Sequence, residues 1–85
     1  MDRRQLLEAA DLLAAGDWQG AHVIVQDDED DAMACWAHAI VHLMEGDTGN
    51  AGYWYRRARR PAPVAPEATE ELRAFRAALT ASAQD

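Results

Sequence analysis

The sequence predicts an all-α fold of about five short helices, arranged as two stacked helical hairpins and a C-terminal closing helix. Three observations predict it. Apolar residues return at three- and four-residue spacing in five separate stretches, the pattern of helices that each bury one face. Alanine, the best intrinsic helix former, is the commonest residue, whereas valine and isoleucine are few and cluster at Val23-Ile24-Val25 and Ile40-Val41, too little for a sheet. A Gly-Asp pair occurs twice, thirty residues apart, at Gly16-Asp17 and Gly46-Asp47, and each pair divides two apolar-periodic stretches.

With 85 residues the chain makes one domain, near the lower end of what a single core stabilises alone. Its expected parts are a hairpin over 2–26, a hairpin over 30–60, a proline-rich linker over 61–66 and a closing helix over 66–82. In the first helix, Asp2 to Ala15, the stripe is Leu6, Leu7, Ala10, Leu13 and Ala14; Gly16 ends it and Asp17 caps its successor. The second runs from Trp18 to Gln26, with Trp18, Ala21, His22 and Val25 on one face. Its Val-Ile-Val run also suits a strand, but no partner strand is visible.

Five consecutive acids follow, Asp27 to Asp31. As a calcium loop they fail the EF-hand pattern, because position six is Ala32 instead of glycine and position twelve is His38 instead of glutamate. As a turn they suit the positive end of the next helix. That helix, Asp30 to Glu45, carries Ala32, Trp36, Ala39, Ile40 and Leu43 on one face and Ala34, Ala37, Val41 and Met44 on others. Apolar nearly all round, it is the central helix. Gly46 stops it. The fourth helix, Thr48 to Arg59, turns Ala51, Trp54, Tyr55 and Ala58 inward, and Pro61 and Pro63 end it. The fifth has Pro66 in its first turn, Glu67, Glu70 and Glu71 at its positive end, and Leu72, Phe75 and Leu79 as its buried stripe.

A formal net charge of −7, with no lysine, argues against general nucleic-acid binding, which rests on a basic footprint. A lone cysteine makes no internal disulfide and points to a reducing compartment. The N-terminal stretch holds Arg3 and Arg4 but also Glu8 and Asp11, an amphipathic helix rather than a signal peptide, and no stretch approaches a membrane span. The expected location is cytoplasmic.

At the thirty-residue offset Ala9 meets Ala39, Leu13 meets Leu43, Ala21 meets Ala51 and Val25 meets Tyr55. Each unit is a helix, a Gly-Asp turn and a second helix whose small inner residue permits close approach. The arrangement resembles tetratricopeptide helix-turn-helix repeats, the likeness in the second unit resting on Gly46, Asp47, Ala51, Tyr55, Ala58 and Pro63. The usual Trp-x-x-Leu-Gly start is missing, and two units are fewer than such arrays need, so the resemblance implies a fifth helix acting as closing cap. The string Ala21-His22, His38-Ala39, His42-x-x-Glu45-Gly46-Asp47-x-x-Asn50-Ala51-x-Tyr53-Trp54-Tyr55-x-Arg57-Ala58 also resembles a family of small helical proteins, mainly bacterial, to which no activity is attached. It implies a fold and no catalytic role.

Two constellations could carry chemistry. Cys35, His38, His42 and Glu45 stand at i, i+3, i+7 and i+10, within about a quarter of a helix circumference. His38 and His42 have the spacing that holds one metal ion, and His22 could add a third nitrogen, a donor set for zinc or a related transition metal. Ala39 follows His38, so the metalloprotease pattern with its glutamate base is absent. The competing reading has all three histidines semi-buried and bonded to backbone carbonyls or to neighbours such as Glu45, Asp47 and the tyrosines. Cys35 as a nucleophile needs an adjacent base and an oxyanion hole; as a buried residue it is a small hydrophobe. The second constellation is Tyr53, which points outward or toward a groove beside Arg56 or Arg57 while Trp54 and Tyr55 face the core, together with Arg56, Arg57 and Arg60. Tyrosine and arginine suit a protein or peptide partner; alternatively the arginines offset the negative helix end and pair with the acids at 27–31 or 67–71.

Three functions stay open. The first is a non-enzymatic interaction module, as a homodimer or with another protein, binding along a groove lined by helices one and three or through Tyr53 and the arginines. No cofactor accompanies it. The second is a metal-binding protein or small hydrolase centred on His22, His38 and His42. The third is a structural domain whose polar residues only tie the core.

Overall fold

The computed structural model describes residues 1–64 and 67–83. Five helices account for the fold, α1 (Arg3–Ala14), α2 (Trp18–Val25), α3 (Ala32–Glu45), α4 (Thr48–Arg57) and α5 (Ala68–Ala83), and no strand occurs among the described residues. The Val23-Ile24-Val25 run is helical. Pro66, expected in the first turn of the closing helix, lies outside the described residues.

Four helices begin on an aspartate, because a carboxylate oxygen satisfies an N–H that the first turn leaves without an intrahelical partner. Asp2 accepts from Gln5 N–H at 2.8 Å while Gln5 Oε1 accepts from Asp2 N–H at 3.2 Å, a reciprocal capping box. Asp17, Asp31 and Asp47 accept from the N–H groups of Gly20, Ala34 and Asn50. The acidic run is therefore a capping turn. Besides Asp31, Asp28 Oδ1 accepts from the N–H groups of Asp30 at 3.2 Å and Asp31 at 3.1 Å.

The Gly-Asp pairs do the same work twice. Gly16 and Gly46 adopt φ of +84° and +91°, a region where a Cβ is penalised. The reversal aims Asp17 N–H at Leu12 O (2.8 Å) and Asp47 N–H at His42 O (2.9 Å), closing both helix ends in the same way. Each aspartate then caps the following helix, so two residues end one helix and start another.

A third helix end departs from expectation. α4 stops at Arg57 because Arg59 takes φ of +60°, sending Arg60 N–H back to Tyr55 O at 3.0 Å. Here an arginine occupies the left-handed position that glycine fills elsewhere.

α1 pairs with α2 and α3 with α4, giving two hairpins; α2 packs on α3, α1 lies beside α3, and α5 packs on α1 and α3. The backbones of α2 and α4 flank α3 without packing on each other. Ala34 through His42 are buried without a break, so α3 is the central helix that its apolar girth predicts. The core joins Leu6, Leu13, Val25, Trp36, Ile40, Val41 and Tyr55 to Phe75 and Leu79 of α5, with Trp36 edge-on to Phe75 at 5.3 Å. No described helix is long and apolar enough to cross a membrane.

Candidate functional site

The three histidines converge. His38 and His42, one turn apart on α3, stack with ring centroids 5.1 Å apart. His22 of α2 approaches edge-on, 4.8 Å from His38 and 5.6 Å from His42. One ligand nitrogen from each lies within 4.8 Å of the others. His38 and His42 are buried, whereas His22 is half-buried. Two helices thus supply one cluster, with α3 as floor and α2 as wall.

The environments of the rings differ. His38 lies flat against Trp54 of α4, centroids 3.7 Å apart and planes 11° from parallel. Burial, reinforced by His22 and then His42, pushes its pKa down to about 3, so the imidazole is neutral. His42 Nδ1 sits 2.7 Å from Glu45 Oε2. A carboxylate there orients the ring and presents its other nitrogen, Nε2.

The four-residue set read along α3 divides in space. Glu45 meets His42, and with Asp47 forms a second close group around that ring. Cys35 turns instead toward the acidic loop, its thiol donating to the Glu29 carbonyl at 3.2 Å. Burial pushes the Cys35 pKa up, which disfavours thiolate, the form needed by both nucleophile and ligand.

The partner candidates divide similarly. Tyr53 is 41% exposed, edge-on to Trp54 at 5.0 Å, with the Arg57 guanidinium 6.0 Å from its centroid and 5.8 Å from that of Trp54. Arg57 reaches the Glu29 carbonyl through Nη2 at 2.8 Å and Nε at 3.3 Å, and lies 3.6 Å from Asp30. With Arg56 and Arg59 it borders an open cleft closed on the other side by Glu29 and Asp30. Arg60 folds elsewhere, its guanidinium 3.5 Å from the Trp36 ring centroid.

Two features were not legible as local pattern. α5 packs on both α1 and α3, so the face expected as a docking groove is shared with the chain's own last helix, which leaves a pocket lined by Leu13, Gly16, Met44, Ala68 and Leu72. Glu71, which in sequence is one of three acids near a helix start, accepts from Tyr55 O–H at 2.6 Å and Trp36 Nε1–H at 3.2 Å. No sequence spacing links Glu71 to residues on α3 and α4; only the packing of α5 does.

No protein-family model matches the chain, and neither a curated protein nor a solved structure matches it.

Proposed function

We propose that the protein is a non-enzymatic interaction module built on two tetratricopeptide-like hairpins, and that its partner docks on the outer face of α4. The carrying observation is the Tyr53–Arg57 pair, an exposed aromatic ring braced by buried Trp54 and by an arginine anchored on the α2–α3 loop. Tyrosine and arginine are the residue types that contribute most at interfaces. Side chains already held in place lose little freedom on docking. Exposed Arg56 and Arg59 alongside favour a partner protein or peptide that presents carboxylates, or a second copy in a homodimer, whose own acidic loop supplies them. On the α1–α3 face, by contrast, α5 packs on both helices and leaves a partner a pocket lined by Leu13, Met44 and Leu72. A cytoplasmic setting accords with the single cysteine.

A photo-activatable side chain substituted at Arg56 tests the reading in extract of the source cells. It should cross-link one protein, or a second copy, whereas the same group at exposed Arg73 on α5 should not. Tyr53→Ala should remove that product and leave the thermal midpoint unchanged. Equal labelling at both positions, or a Tyr53→Ala chain that melts early, rejects the docking face.

A further inference from the structure

We infer that His22, His38 and His42 form a site for one transition-metal ion of the zinc class, with Glu45 as the carboxylate that holds His42 in place. The inference is independent of the docking face on α4 and uses residues that reading leaves unassigned.

The donor atoms are of one kind. Three imidazole nitrogens suit zinc, cobalt, nickel or copper and disfavour magnesium or calcium, which take oxygen. Zinc–nitrogen bonds of about 2.0–2.1 Å in a tetrahedron put ligand nitrogens about 3.3 Å apart. Here the three lie within 4.8 Å of one another, so the rings need to close by about 1.5 Å at most. His22, half-buried on the shorter helix, is the least enclosed of the three rings.

The surroundings of His42 and the placement of the ligands add to this. His42 has the outer carboxylate that metal-binding histidines require, Glu45 at 2.7 Å on Nδ1, which leaves Nε2 for the ion. Among the described residues this is the one side-chain hydrogen bond made by any of the three rings. That bond is also the one the structural reading of the histidines expects; no backbone carbonyl is bonded to any of the three rings among the described residues. The ligands also come from both hairpins, α2 and α3, so an ion would staple one to the other. Three protein ligands leave a fourth position for water or a partner's side chain.

Titration of the metal-free full-length chain with cobalt(II), followed by displacement with zinc(II), is the test. One equivalent of cobalt should give the intense visible bands of a tetrahedral site, bleached by one equivalent of zinc. His22→Gln should weaken zinc binding at least tenfold, and Glu45→Gln should weaken it about 10–100-fold. Both positions lie at the edge of the core, and circular dichroism should show each variant folded. His42→Gln, more buried, serves as a second ligand variant if folded. A folded wild-type chain that takes up no stoichiometric cobalt or zinc overturns the site. So does uptake that His22→Gln and Glu45→Gln leave unchanged, which would place the ion elsewhere.

Discussion

His38 lies face to face on Trp54, ring centroids 3.7 Å apart and planes 11° from parallel, and the contact ties α3 to α4 beneath the histidine cluster. It also keeps His38 from water, which is why that ring resists protonation while a histidine in the unfolded chain does not.

This difference sets an acid response. The folded His38 pKa, about 3, lies below its ordinary value of 6.5, so between those values the unfolded chain binds the extra proton. Stability should be unaffected by this group above pH 6.5 and should fall as pH drops toward 3, by at most about 1.4 kcal/mol per unit for the one proton. The groups facing the ring are His22, His42 and Trp54. Urea midpoints across that range should be flatter with pH in His38→Gln than in wild type; equal slopes would remove His38 as the cause.

Glu71 Oε1 receives both Tyr55 O–H and Trp36 Nε1–H. Burial, then the Glu71 bond, pushes the Tyr55 pKa up, so the phenol stays protonated as a donor. Glu71→Ala leaves two donors unmatched and should cost about 2 kcal/mol in equilibrium denaturation. A loss under about 0.5 kcal/mol would make the bonds incidental.

Backbone handedness gives a pair of opposite outcomes. A Cβ at Gly46 meets nothing within 4 Å, so Gly46→Ala should cost only the left-handed penalty, about 1 kcal/mol. Arg59 already bears that penalty at φ of +60°, so Arg59→Gly should stabilise the chain by up to about 1 kcal/mol. Same-signed shifts in the two variants would contradict the account.

Cys35 is 1% exposed and its thiol pKa is raised by burial. Iodoacetamide should modify it slowly in the native chain and rapidly in denaturant. Prompt native labelling at neutral pH would mean that the α2–α3 loop opens readily.

The sequence by itself determined the five helices and the ends that aspartate caps and Gly-Asp pairs set. Leucine and alanine spacing sets one buried face per helix, aspartate before a helix satisfies its free N–H groups, and the two Gly-Asp pairs reverse the chain where a Cβ is costly. These are local effects, complete within a few residues, and so could be read along the chain. The same holds for α3, whose apolar girth admits only a central position, and for the His38–His42 spacing. What only the tertiary structure decided is which helices meet. It brings His22 to the α3 pair and turns Cys35 away toward the Glu29 carbonyl. It lays α5 along α1 and α3, over the face expected as a docking groove, and makes Glu71 the acceptor for Trp36 and Tyr55. Arg59 in the left-handed region belongs here too, since Arg60 reaches the Trp36 ring only after that turn. Such contacts join side chains distant in sequence through packing, which is stabilised by total buried surface and leaves no period in the residues that make it.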